Sequence, residues 1–531
     1  MNDDKIEEMR DTSQSDQVLR DTNLSTNLIK EDDKKKENEE PKKVNSFVTI
    51  LAIWGSLIGS STVSMPYNVY QAGIVPSIVL CIIYGFLAFY TCKIYVDFGV
   101  KEADFSSTVE RYFGKVFGPK IGKICKNIQI IFIISLTTGG FMIYFLIMSQ
   151  NLYSVSCLIL NNIGFDIDEQ NLKPEFGRFS IIYLGFILSI LIFPLIMKKE
   201  VSFLVKISSF SAYCVSALII YAIYTGISSM INTDFHIDYI KNKKDSKDRY
   251  IQLFGVNPSN LAGTISLGYF CHSTILPTLK NNKNQNNNIR DLSIGYIFTG
   301  FTFSLSGIFG YIGFSGKDFD IDFKKNWFFF FDYDVIIVLI LKLLNIFQLF
   351  VVFPILVYAV RLQIFNFFYG NDYPSKKLVM IYSISALILS LIVVYIASEY
   401  LAELIGIIGA CTTLILVYTF PPIVKIIALY LKKKKISVEN ETNLDENREK
   451  NADNEEKEKE EKEETEETEE SNKKEGKNEN EALKEGNDSE KFTFIDILYI
   501  IGHLLFIVIG IVTVVFNFVP INFFNVTFRE E

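Results

Sequence analysis

Apolar runs of about twenty residues recur along this chain from residue 46 to residue 519, and no other feature restricts its fold so severely. A bilayer core roughly 30 Å thick is crossed by about 20 residues of α-helix, which satisfies its own backbone polar groups in lipid. Candidate spans fall at residues 46–70, 74–96, 128–158, 180–196, 202–230, 260–279, 292–314, 335–369, 378–397, 405–429 and 494–519. The expectation is an all-α polytopic membrane protein of about eleven helices.

The polar remainder divides into parts. Residues 1–43 are rich in Asp, Glu, Lys and Asn and read as a disordered cytoplasmic tail. They contain no apolar h-region of a cleavable signal, so the first span serves as its own insertion signal. Residues 44–430 hold the first ten spans, and residues 492–521 the eleventh. Between them, residues 431–491 form an acidic low-complexity insertion. Its portion 436–491 carries 23 acidic against 10 basic residues. That excess outweighs the chain's net charge of −9, so the rest is mildly basic and the net charge says little about partners. Residues 522–531 are a short lumenal or extracellular tail, with a glycosylation sequon at Asn525 to Thr527.

Lys and Arg concentrate in loops that share one side if the N-terminus is cytoplasmic, as with Lys101, Arg111, Lys115, Lys120, Lys123 and Lys126 after the second span. The loop at 239–250 departs from the rule with five basic residues, accompanied by Asp238, Asp245 and Asp248. The seven cysteines lie in or beside apolar spans without paired spacing, which argues against a disulfide framework or a zinc site.

Chemistry inside lipid is sought where helices are interrupted, because a broken helix is tolerated only where protein or a water-filled cavity supplies partners. The first span carries the run Trp54 to Pro66 (WGSLIGSSTVSMP), and the sixth carries Gly263 to His272 (GTISLGYFCH). Paired interruptions in corresponding halves are the sequence sign of an inverted-repeat transporter with its site at the midplane. Five spans plus five, with one extra, fits that plan. Freed main-chain groups beside helix ends that each carry about half an elementary charge suit the carboxylate and ammonium of an α-amino acid. The competing reading is that Gly59 and Gly268 only allow close helix packing.

His272 is an ionisable group inside the sixth span and a candidate proton relay; equally, it can be a neutral imidazole bonded to a neighbour. Thr137, Thr138, Gly139, Gly140 and Tyr144 in the third span either line a cavity or make ordinary helix interface. Lys342, Asn345 and Gln348 share one face of the eighth span, which should point toward protein or water. No P-loop, HExxH or nucleophile elbow is present, so the chain is not read as an enzyme, and neither cofactor nor metal is implied.

Residues 50–73 (ILAIWGSLIGSSTVSMPYNVYQAG) resemble the first helix of amino acid/auxin permeases. Within that family they are similar to a lysosomal, arginine-sensing branch of the sodium-coupled neutral amino acid transporter group. Residues 270–292 (FCHSTILPTLKNNKNQNNNIRDL) are similar to the sixth helix and following loop of that branch, with weaker echoes at 144–153, 347–363 and 406–421. The resemblance implies a LeuT-like inverted repeat. In it, Ser56, Leu57, Ile58, Gly59, Ser60 and Ser61 contact the substrate backbone, and Cys271 and Ser273 face them from the sixth helix. Gly55 stands where the relative has asparagine and Val351 where it has threonine. Both changes remove oxygens that a sodium ion would need, which points to proton coupling or none. The outer loop before the sixth span lacks the cysteine often carried there, and the N-terminal tail has no counterpart to the relative's signalling segment.

These observations lead to secondary transport of neutral or cationic amino acids. Partners are then an amino acid, membrane lipid and a cytoplasmic protein on the N-terminal tail or the acidic insertion; nothing points to nucleic acid. A receptor-like nutrient sensor with little flux would present the same site, and an inorganic-ion carrier is disfavoured because no span clusters carboxylates. By analogy alone, a vacuolar or lysosomal membrane is expected over the plasma membrane.

Overall fold

The computed structural model describes residues 43–99, 105–167, 171–176, 178–198, 211–232, 235–238, 249–255, 258–314, 327, 336–369, 375–434 and 494–518. The N-terminal tail before Lys43, the acidic insertion beyond residue 434, the loop lysines between 241 and 247, and the C-terminal tail with its sequon lie outside these residues.

Among the described residues the chain is all-α apart from one short pair of strands. Its helices are α1 (Ser46–Leu57), α2 (Ser61–Ala72), α3 (Ile74–Gly99), α4 (Phe105–Phe117), α5 (Pro119–Asn162), α6 (Ile181–Ile196) and α7 (Ser211–Asn232). After these come α8 (Ser259–Gly268), α9 (His272–Lys280), α10 (Asn288–Phe314), α11 (Ile336–Tyr369), α12 (Lys376–Ala397), α13 (Leu401–Leu416) and α14 (Phe494–Phe518). A parallel pair, β1 (Phe235–Asp238) and β2 (Arg249–Gln252), decorates the connection from α7 to α8.

Among the described residues, eight helices are long and apolar enough to cross a membrane, and the α1–α2 pair, bent by 59° at its break, makes a ninth. The sequence-based count of eleven also includes α6, which is 16 residues long, and the short α8–α9 pair. Outward faces are apolar, as lipid requires: Ile190 is 73 % exposed, Ile82 67 % and Ile501 56 %.

The two largest hydrophobic clusters form most of the interior among the described residues. One joins α1, α3, α4, α8, α9 and α10 with the stretch after α13; the other joins α5, α6, α11, α12 and α13. Glycines let the two halves meet. A Cβ on Gly263 of α8 would run into the Gly406 carbonyl of α13, and one on Gly409 would meet the Gly263 carbonyl.

Three features depart from the sequence reading. Helix α4, taken as part of a basic loop, buries Phe105, Val109 and Phe113 at four-residue spacing. Helix α5 begins at Pro119 rather than residue 128, and its 44 residues span roughly 66 Å, more than a bilayer. Its polar start is anchored to α4 by Lys126 on Glu110 at 2.6 Å. The tenth span is also not continuous: α13 ends at Leu416, residues 417–419 turn, and helix resumes over 420–434. Pro421 and Pro422 sit in the first turn of that second piece, where a missing N–H costs nothing.

Candidate functional site

The first span breaks at Ile58, Gly59 and Ser60. The break lies upstream of Pro66, which is inside α2, so the Gly and Ser run interrupts the helix rather than the proline. Ile58 has extended backbone at φ −85°, ψ 113°, its N–H bonded to the Trp54 carbonyl, and α2 restarts with Thr62 N–H on the Gly59 carbonyl. Among the described residues the Gly59 N–H has no main-chain acceptor, so a donor is left open at the positive end of α2. The carbonyls of Gly55 and Ser56, which an unbroken helix would pair with Gly59 and Ser60, are left at the negative end of α1.

The sixth span breaks at Tyr269, Phe270 and Cys271, with no proline to mark it. The two breaks meet. Ser61 Oγ donates to the Thr264 carbonyl at 3.3 Å, and Asn68 Nδ2 donates to Thr264 Oγ1 at 3.0 Å. A Cβ on Gly268 would lie 3.2 Å from that of Ser61 and 2.5 Å from Phe303, so the close-packing account holds for this glycine. Across from Gly59 stands Tyr144 of α5, whose hydroxyl faces the main chain of Gly59 and Ser60.

The site residues implied by the resemblance are placed unevenly. Gly59, Ser60 and Ser61 gather at the break beside Tyr144 and Thr264. Ile58 packs on Val215 and Ile219 of α7, and Leu57 joins the hydrophobic interior. Ser56 is exposed and turns its hydroxyl back to the Ile53 carbonyl. Cys271 points away from the break toward α3 and α10, its Sγ 3.8 Å from Cys92 Sγ and 3.4 Å from the Tyr296 hydroxyl; Ser273 is exposed. Exposure is also unequal along the broken helices. Ser61 to Val69 are all buried, and so is most of α8, whereas Gly55, Ser56, Ser273 and Thr274 on α1 and α9 are exposed.

His272 is buried, its ring edge-on to Tyr95 and stacked on Phe270. Its Nε2 lies 3.0 Å from Thr91 Oγ1, and Thr91 gives its own proton to the Leu87 and Ala88 carbonyls. Nδ1 has no hydrogen-bond partner among the described residues.

Of the other residues singled out, Gly139 packs on Ile408, Thr137 bonds back to the Ile133 carbonyl, and nothing lies within 4 Å of a Cβ at Gly140; only Tyr144 reaches the break. Lys342, Asn345 and Gln348 are all buried against α5, with Lys342 Nζ on Ser154 Oγ and Asn151 Nδ2 on Asn345 Oδ1 at 2.7 Å. Asn68, Thr91 and Thr264 escaped sequence reasoning as individual residues. Asn68 lies two helical turns from Ser61 on the same face, a signal that was available. Thr91 sits in an apolar run and is recognisable only through its tertiary partner.

A separate cavity of about 670 Å³ lies between α3 and α10, walled by Ile78, Ile82, Phe86, Ile297 and Phe301, with Tyr269 beside them. Its mostly apolar walls offer no cradle for a zwitterion, in contrast to the break.

The family described as "Transmembrane amino acid transporter protein" matches over residues 43–441, three quarters of the chain and both breaks included. The chain is 25 % identical over 427 residues to neutral amino acid transporter 9 of Danio rerio, covering 74 % of this chain and 76 % of that one. It is 26 % identical over 430 residues to the Xenopus laevis protein of the same name, covering 73 % and 75 %. It is also 26 % identical over 438 residues to the sodium-coupled neutral amino acid transporter 9 homolog of Caenorhabditis elegans, covering 72 % and 68 %.

Proposed function

Because the chain belongs to the transmembrane amino acid transporter family, we propose that it is a secondary transporter that carries an amino acid through the break between α1 and α2. The observation that carries this reading is the Gly59 N–H, open at the start of α2 opposite the uncovered carbonyls at the end of α1. A carboxylate suits the first and an ammonium the second, so the two helix ends match the one feature that all α-amino acids share. Ser60, Ser61 and Tyr144 complete the contacts, with Thr264 and Asn68 fixing the second broken helix against the first.

Counting α6 and the α8–α9 pair as spans gives the five-plus-five arrangement with one extra helix. In that arrangement α1–α2 and α8–α9 are the corresponding broken members. Alternating access then follows from rocking the halves about the breaks.

Coupling is assigned to protons or to none. Gly55 and Val351 carry no side-chain oxygen for sodium, whereas His272, with its Nδ1 unpartnered among the described residues, is an ionisable group next to the second break. A vacuolar or lysosomal membrane remains the preferred location, through likeness to the relatives' branch alone. The test is uptake by proteoliposomes containing the purified chain, with a panel of neutral and cationic amino acids and imposed proton or sodium gradients. Saturable uptake that follows the proton gradient, or needs no gradient, supports the reading. Uptake that requires sodium and ignores pH overturns the coupling assignment. Tight binding with negligible flux would favour a receptor-like sensor.

A further inference from the structure

The run Leu279 to Leu292 (LKNNKNQNNNIRDL) takes no part in the site, yet Asn282, Gln285, Asn288, Arg290 and Asp291 within it form one connected side-chain network. Asn282 is fully buried; its Nδ2 donates to Asn288 Oδ1 at 3.0 Å and Asp291 Oδ2 at 2.9 Å, and its Oδ1 accepts from the Asn284 N–H at 3.3 Å. Gln285 Nε2 caps the end of α9 by donating to the carbonyls of Leu279, Lys280 and Asn282, and its Oε1 accepts from Asn288 Nδ2. Asp291 takes Arg290 on its other oxygen. The outcome is a braced turn between α9 and α10 that leaves the Asn281 carbonyl and the Lys283 N–H at its outer edge.

That edge is occupied by the residue before the α1 cap. Val44 N–H donates to the Asn281 carbonyl at 2.9 Å, and Lys283 N–H donates to the Val44 carbonyl at 2.7 Å, forming a parallel main-chain bridge between Val44 and Asn282. Asn45 follows at once and caps α1 by accepting from the Val48 N–H. Helix α1 also packs on α9 and α10. The two half-helices on the same side of the two breaks are therefore tied at the ends remote from those breaks, roughly 18 Å from Gly59 along α1.

We propose that this bridge is a clasp that holds α1 closed over its side of the substrate site, so that opening of the break on that side requires release of Val44 from residues 281–283. The inference rests on reading the α1–α2 break as the substrate site and adds its gate. Main-chain bonds suit such a task, since two hydrogen bonds are strong enough to bias a helix and weak enough to open within a transport cycle. The polar run explains itself as the braced partner the clasp needs.

The test uses the full chain in detergent with Thr49→Cys, a position that is fully buried in α1 four residues after its cap. Maleimide labelling is followed by mass spectrometry of the peptide containing that cysteine, which separates it from the native thiols. Val44→Pro removes the first donor and Lys283→Pro the second, while Val44→Ala and Lys283→Ala keep both N–H groups and control for side-chain effects. The expected result is labelling at least about fivefold faster in each proline variant, with the alanine variants at the parent rate. Unchanged labelling in either proline variant, or an equal rise in the alanine variants, overturns the clasp. Because labelling does not depend on transport, a wild-type chain that moves no amino acid would sink the transport reading while this readout still decides the clasp.

Discussion

Tyr144 stands so close to Gly59 that a Cβ added to the glycine would lie 2.5 Å from the tyrosine hydroxyl. The hydroxyl also faces the Ser60 main chain, so one side chain of α5 covers the break in the first span at two successive residues. Glycine is needed here for approach rather than for backbone freedom.

Gly59→Ala should therefore cut amino acid uptake by at least about tenfold, because Tyr144 has to leave the break to make room. Gly55→Ala, four residues earlier with nothing within 4 Å of the added carbon, should change uptake by less than about threefold. Initial uptake rates of the two variants, at matched protein content in liposomes, check the contrast.

Tyr144→Phe keeps the ring and removes the hydroxyl. A hydrogen bond near a charged substrate contributes about 1.5–3 kcal/mol, so uptake efficiency should fall roughly ten- to a hundredfold. The loss should appear in both KM and maximal rate if the hydroxyl serves binding and closure alike. A variant with parent kinetics would remove Tyr144 from the site.

His272 is bonded through Nε2 to Thr91 and has no partner on Nδ1 among the described residues. His272→Gln retains a polar group but cannot titrate near neutrality. Proton-driven accumulation should vanish, while exchange of amino acid across liposomes at equal pH persists. Loss of both would make His272 structural; retention of both would take it out of coupling.

Arg361 is fully buried on α11 and donates to the carbonyls of Ile196 and Lys198 at 2.8 Å each, against the face of Tyr358. It neutralises the negative end of α6 and satisfies its orphan carbonyls. Arg361→Met should lower the melting temperature in detergent by at least about 5 °C, and Arg361→Lys, which lacks the fork, should recover only part of it. Thermal unfolding followed by light scattering or intrinsic fluorescence reads the difference.

Long apolar runs announced the membrane helices because lipid leaves the backbone no other solution. The first break was legible in residues 55–64, where glycine and serine crowd the middle of a span. Its position was less so, since Pro66 drew attention to a place where the helix continues. The second break, at Tyr269 to Cys271, carries no local mark beyond Gly268, and it arises from tertiary contacts of Tyr269 with α3 and α10. Helix α4 escaped because its buried stripe is interleaved with Arg111 and Lys115. Cys271 and Ser273 were chosen by likeness of sequence, and the direction of a side chain at the edge of a broken helix is set by φ and ψ values that no periodicity predicts.

Main-chain groups at the α1–α2 break are proposed to grip the amino acid. The most direct measurement is an experimental density map of the chain saturated with a transported amino acid. The account predicts the carboxylate within hydrogen-bonding distance of the Gly59 N–H and the ammonium at the carbonyl end of α1. An amino acid bound elsewhere, or unbroken helix from Leu57 to Met65, would contradict it.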